Sequence, residues 1–271
     1  MFKINNLTYQ YDKTRKALNN VSMDFNKGNI IGIIGSNGSG KSTLFNNLMG
    51  ILKSTEGEIL YNGEQIKYDK KSLYNLRKEV GIVFQDPEKQ IFYSMVYDDI
   101  AFALRNIGMD EKTIKDRIHT ALEAVNGLQF IDRPVHNLSF GQKKRVAIAS
   151  VVAMENKLVL LDEPTAGLDP ISTRAIVDII KGLNDRGVKI IISSHDMNLI
   201  YEICDYVYVL NQGVLINEGT RAEVFVNEEK INEAGLELPW LVKLHKNMGL
   251  PLFTREEDLY SYWNHREQKT V

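Results

Sequence analysis

The sequence predicts a mixed α/β fold: a largely parallel sheet with an antiparallel β portion, a helical insert and a C-terminal extension. Three observations lead there. Short apolar runs alternate with helical stretches, the pattern of strands laid parallel and joined by helices. The run at 30–34 passes through a glycine-rich stretch straight into a helix. Residues 86–154 then change character toward helices, with strand-like segments on both sides.

The elements follow in order. "FKINNLTYQY", "VSMDF" and "NIIGIIG" read as strands, and "GEILYNG" ends in an Asn62-Gly63 turn of the hairpin type. "VGIVF" at 80–84 is a buried-strand candidate, and helices are expected over 111–125 and 139–153. Three apolar strands return at "KLVLLD", "VKIIISS" and "YVYVL", separated by helices over 170–184 and 196–204. From about 227 the text becomes a helical extension that runs to 271. Leu238, Leu241 and Leu244 recur there at helical spacing, with Trp240 and Trp263 nearby, a stripe that suits a core or a small interface.

Bulk numbers set limits. The chain has 271 residues, 44% hydrophobic and 25% charged, enough for one large α/β domain with an attachment or for two smaller domains. A net charge of −2 argues against a general nucleic-acid binder, which carries a basic excess. The single cysteine, Cys204, lies in an apolar setting and has no partner within the chain, as expected of a buried thiol in a reducing compartment. "MFKINNLTYQ" lacks the apolar core of a signal peptide, and no apolar run reaches the ~18 residues that span a bilayer.

"GIIGSNGSGKST" carries the first chemistry. Gly35, four residues, then Gly40-Lys41-Ser42 match the P-loop spacing in the strand–loop–helix context that the motif needs. The N–H groups of Gly35, Ser36, Asn37, Gly38, Ser39, Gly40 and Thr43 can turn inward around phosphate oxygens. Lys41 is expected on the β- and γ-phosphates and Ser42 on Mg²⁺, so the chain should bind a nucleoside triphosphate, ATP in the first instance.

"KLVLLDEPTAGLD" ends an apolar strand in Asp162 and Glu163. Ligands of open α/β sheets sit at the carboxyl ends of the strands, so both acids should face the phosphates. Asp162 suits the Mg²⁺ shell and Glu163 the polarisation of the attacking water. Alone, an acidic pair after a strand could equally cap a helix; with a P-loop upstream, a hydrolytic pair is expected.

"HNLSFGQKKR" poses a puzzle. Lys143, Lys144 and Arg145 fall at the positive start of a helix, each disfavoured by about 0.3–1 kcal/mol. The Ser and Gly before them suit an anion site instead.

The order of these motifs resembles the nucleotide-binding subunits of ABC transporters, over residues 1 to about 226. It rests on "GSNGSGKST", Gln85 after a strand, "LSFGQ", "LLDEP", "GLD" and His195 after a strand. The resemblance implies that two ATPase subunits, a homodimer or a pair of paralogues, join head to tail. Each signature segment then caps the ATP held by the other's P-loop, with Ser139, Gly141 and Gln142 in place and Phe140 where the family has glycine. It also implies that Gln85 senses Mg²⁺ and the water, that His195 touches the γ-phosphate, and that Asp169 sits in the loop crossing the interface. Tyr11 falls where the family stacks an aromatic on adenine, although Tyr9 and Tyr11 also suit a strand.

The stretch "DPEKQIFYSMVYDDIAFALRNIGM" is similar to the energy-coupling-factor importers, and "LSFGQKKRVAIAS" and "HDMNLIYEICDYVYVL" lean toward their cobalt or nickel members. Vitamin importers share most of these features. The resemblance implies a transmembrane coupling protein, a substrate-binding membrane component, a peripheral position on the cytoplasmic face of the cell membrane, and an extension (227–271) that holds the ATPase pair together. A solvated loop followed by an amphipathic helix would also account for the charges after Gln85. An ABC-type ATPase acting on DNA or ribosomes is the competing reading; residues 42–138 lack the heptads of the DNA-repair relatives, and there is one cassette. No nucleic-acid partner is expected.

Overall fold

The computed structural model describes residues 1–12 and 15–267. The end of the C-terminal extension, 268–271, lies outside the described residues. Strands β1 (Phe2–Gln10) and β2 (Lys16–Asp24) lead to β3 (Ile30–Ile34) and helix α1 (Lys41–Leu48). Strands β4 (Glu56–Tyr61) and β5 (Glu64–Gln65), helix α2 (Lys70–Glu79) and strand β6 (Val80–Val83) follow. The helical portion holds α3 (Val96–Asn106), α4 (Glu111–Ala124) and α5 (Phe140–Ala153). Then come β7 (Leu158–Asp162), α6 (Pro170–Asp185), β8 (Lys189–Ser194), α7 (Met197–Ile203), β9 (Tyr206–Asn211) and β10 (Val214–Thr220). Helices α8 (Arg221–Val226), α9 (Glu228–Glu233), α10 (Trp240–Met248) and α11 (Glu256–Glu267) end the described chain.

Two sheets form. One is antiparallel in the order β2-β1-β4-β5; the other runs β10-β9-β3-β8-β7-β6 and is parallel except for β10. Successive strand residues face opposite sides, so β3 buries Ile31 and Ile33 against the antiparallel sheet and α1, and Ile30 and Ile34 against the helices. Burial on both faces explains why the parallel strands read as unbroken apolar runs. The hairpin turn at Asn62-Gly63 has the expected positive φ values, 53° and 85°.

Two elements left weak traces in the sequence. In β10 only Gly219 is buried, as befits an edge strand, and α2 buries only Leu76 among its charges. Strand β2 begins earlier than "VSMDF" suggests, because Lys16, Asn19 and Asn20 lie on its exposed side.

The extension packs on its own chain. Ile231, Ala234, Leu236, Leu238, Leu241, Val242, Leu250 and Leu259 join the core that holds α6 and α7, with Leu244 and Trp240 packed against it. Trp263 stays exposed. Cys204 follows α7, wholly buried, its thiol pKa pushed up by burial. No described helix is long and apolar enough to cross a membrane.

Candidate functional site

Strand β3 delivers the glycine-rich loop to the carboxyl end of the parallel sheet, and α1 starts right after it. Glycine is required where the backbone crowds: a Cβ on Gly40, at φ +110°, would stand 2.6 Å from the Ala17 carbonyl oxygen, and one on Gly35 2.3 Å from that of Leu210. Lys41 Nζ donates to the carbonyls of Gly35 (2.7 Å) and Ser36 (3.2 Å) and lies 3.6 Å from Glu163 Oε1. The Ser39 hydroxyl is buried without a hydrogen-bond partner, while Ser42 is exposed.

One cleft gathers most of the expected residues: Tyr11, Asn37, Gly38, Ser39, Gly40, Lys41, Ser42, Thr43, Gln85 and Glu163 line it, together with Arg15. Gln85 reaches it from the end of β6. The Tyr11 hydroxyl is 3.1 Å from Thr43 Oγ1 and its ring meets Tyr9 edge-on, so Tyr11 stands at the mouth of the loop while 64% exposed.

The acids come from the end of β7. Asp162 is buried and its Oδ1 accepts the Ser193 hydroxyl at 2.5 Å. Glu163 turns into the left-handed region, φ 47°, at a cost of order 1–3 kcal/mol that its surroundings must offset. Its N–H donates to Ser193 O (3.1 Å) and lies 3.0 Å from Ser193 Oγ. Its Oε2 lies 2.8 Å from His195 Nδ1, and its Oε1 is buried without a hydrogen bond. An acceptor with nothing donated to it, beside a lysine and at the mouth of an N–H-rich loop, can take a hydrogen bond from a water placed there.

The signature residues do not line this cleft. Ser139 caps α5 in a reciprocal box: Gln142 N–H donates to its hydroxyl at 3.3 Å, and Ser139 N–H donates to Gln142 Oε1 at 2.9 Å. Gly141 lies close to Ser172, next to the Asp169 carboxylate that caps α6 and accepts from Ser172 N–H and Oγ–H. Those bonds hold the Asp169 pKa below the usual carboxylate value.

The basic run has an answer inside the chain. Lys143 pairs with Glu88. Arg145 donates to the Asn126 carbonyl and sits over the Phe130 ring. Lys144 goes inward and donates to the Glu163 carbonyl at 2.8 Å; burial pushes its pKa down to about 8. Each cation leaves the helix start in a different direction, so nearby phosphate is not needed to tolerate them.

Sequence reasoning missed Ser193 and Lys144. A signal for Ser193 existed: "IISS" places two polar residues at the end of an apolar strand, and the register sets Ser193 beside Asp162. Lys144 gave none, because helix periodicity does not show which of three cations turns inward.

The ABC transporter family model matches residues 18–166. The cobalt import ATP-binding protein CbiO of Salmonella typhimurium is 48% identical, over 96% of this chain and 94% of its own. The energy-coupling factor transporter ATP-binding protein EcfA of Methanocaldococcus jannaschii is 45% identical, over 88% and 85%. The solved structure of cbiO1 from Clostridium perfringens, described as part of the ABC transporter complex cbiONQ, superposes with a TM-score of 0.77 at 41% identity, covering 90% of this chain and 98% of that one. With a nucleotide loop, an acidic strand end and a signature helix in one continuous fold, the chain belongs to the ABC transporter family, as an ATP-binding and ATP-hydrolysing subunit of the energy-coupling-factor type.

Proposed function

We propose that this ATPase powers uptake of cobalt, or nickel, as one of two subunits paired head to tail on the cytoplasmic face of the membrane. It works beneath a transmembrane coupling protein and a substrate-binding membrane component. The observation that carries the metal reading is the 48% identity to a cobalt import subunit along almost the whole of both chains. Among the described residues no cluster of three or more His, Cys, Asp or Glu is placed to hold a metal. In this reading the membrane component handles the transported ion.

ATP lies in the cleft around Lys41, with Gly35, Ser36, Asn37, Gly38, Ser39, Gly40 and Thr43 offering N–H groups to its phosphates and Tyr11 its ring to the adenine. Ser42, Gln85 and Asp162 would hold Mg²⁺, since a hydroxyl, an amide oxygen and a carboxylate are the hard oxygen donors that ion takes. When bound, Mg²⁺ neutralises charge on the β- and γ-phosphates. Glu163 orients the attacking water through Oε1, while His195 holds Oε2 and reaches toward the γ-phosphate. Ser139, Gly141 and Gln142 serve the ATP of the second subunit.

An exposed aromatic patch supports the membrane contact. Phe92 is 79% exposed and the rings of Tyr93 and Phe102 pair at 5.4 Å, just after Gln85. In the division proposed, residues 1–226 form the nucleotide-binding domain, with its helical insert at about 86–154, and 227–271 an extension that steadies the pair through its exposed Tyr260 and Trp263.

Uptake into cells or vesicles carrying the membrane components tests this. Radiolabelled cobalt should accumulate with the native chain and not with Glu163→Gln. Accumulation of a vitamin with no cobalt or nickel uptake would replace the metal reading by the vitamin-importer one.

A further inference from the structure

We infer that Lys144 is a positioning residue that ties the signature helix to the backbone of Glu163, and so joins the two nucleotide sites of an ATPase pair through one side chain. The joining rests on the head-to-tail reading above; the positioning of Glu163 does not.

Lys144 is 1% exposed. A lysine at that depth is costly unless its ammonium is bonded, and here the ammonium is directed at a backbone carbonyl, that of Glu163, at 2.8 Å. A charged donor makes such a bond about twice as strong as a neutral one. The residue it holds sits in the left-handed region, at φ 47°. Glu163 is pinned at three points: Ser193 at the end of β8 holds its N–H, His195 just after β8 holds its carboxylate, and α5 holds its carbonyl through Lys144. Strained backbone persists only when its surroundings over-determine it, and Lys144 is the part of that shell that comes from the signature helix.

The same helix begins at Ser139, just over one turn before Lys144, and its capping box keeps that turn stiff. Phe140 adds a cover: its ring lies 5.4 Å from the Lys144 ammonium and against Gly167, in the loop between Glu163 and Asp169. A movement of α5 set by what Ser139 touches therefore carries the Lys144 ammonium with it, because close-packed elements shift as bodies. The Glu163 carbonyl follows, and with it the carboxylate that faces this chain's own nucleotide. Contact with the partner's ATP at one end of α5 thus adjusts hydrolysis of the chain's own ATP at the other.

Two variants test this. Lys144→Met keeps the stem and removes the donor; Lys144→Gln keeps a neutral donor on a shorter stem. Expected for Met is a kcat at least tenfold below wild type, with KM for ATP and affinity for a fluorescent ATP analogue within twofold; Gln should fall between. The ATP dependence of turnover, sigmoidal in the wild type, should become hyperbolic in Lys144→Met. A kcat within twofold of wild type in a folded variant, or a tenfold rise in KM with kcat unchanged, overturns the positioning role. Failure of both variants to fold overturns it too, since Lys144 would then serve packing alone. A sigmoidal curve of unchanged steepness in Lys144→Met, or a hyperbolic one in the wild type, overturns the joining. Pairing is read separately, by gel filtration of Glu163→Gln with ATP: if no dimer is trapped, the head-to-tail reading fails while the kcat comparison still judges Lys144.

Discussion

His195 Nδ1 stands 2.8 Å from Glu163 Oε2, across the ends of two neighbouring strands, and leaves the other carboxylate oxygen facing Lys41. The two residues therefore share one carboxylate orientation. Removing the imidazole in His195→Ala should lower kcat by about 10²-fold, the cost of a catalytic group misplaced by about 1 Å, with ATP affinity little changed. Glu163→Gln should stop turnover and keep nucleotide binding, whereas Lys41→Ala should weaken binding itself. Steady-state ATPase rates and titration with a fluorescent nucleotide separate the three; near-normal hydrolysis by Glu163→Gln would remove it from the role proposed.

Ser139 caps its own helix and lines no part of its own chain's cleft. Ser139→Arg should leave folding and ATP binding intact while blocking hydrolysis, because a bulky cation would fill the space meant for the partner's γ-phosphate. Mixing Ser139→Arg with Lys41→Ala, each inactive alone, should restore part of the activity, since one composite site in the mixed pair carries neither lesion. Crosslinking verifies that mixed pairs have formed. Full activity from Ser139→Arg alone would be the contrary result.

Glu88 is tied to Lys143, so reversing its charge disturbs α5 as well as any membrane contact. Lys89 is the cleaner probe, being exposed and next to the aromatic patch. Lys89→Glu should lower transport by the assembled importer and spare the basal ATPase of the isolated subunit. Equal loss of both would assign the segment to the fold.

Leu241 in α10 is 5% exposed and belongs to the core shared with α6 and α7. Leu241→Ala should cost about 2–5 kcal/mol in chemical denaturation, the range for a buried leucine. A loss confined to pairing, with monomer stability unchanged, would mean that the extension is not part of the domain's core.

The strands that carry the site were legible because a sheet buried on both faces leaves unbroken apolar runs, as at Leu158–Asp162 and Lys189–Ser194. The loop was legible because Gly35 and Gly40 sit where no side chain fits. Edge strand β10 and helix α2 were not, since each buries a single residue and periodicity needs a buried face to show. Within the site, Asn37 to Thr43, Gln85 and Glu163 meet at the cleft while the signature residues do not. Ser193 and Lys144 entered through contacts between segments 30 and 19 residues apart. No local pattern encodes such contacts.

Cys204 is the chain's one cysteine, with none of its surface in contact with solvent and a thiol that resists ionisation. A maleimide needs an accessible thiolate, so the native protein should stay unlabelled without any cysteine-removing substitution. A cysteine placed at Phe92 or Trp263 would be the sole reporter on each subunit. Spin-label or fluorescence distances between two such reporters could then follow the subunits of a pair through a full cycle of ATP turnover in an otherwise unaltered chain.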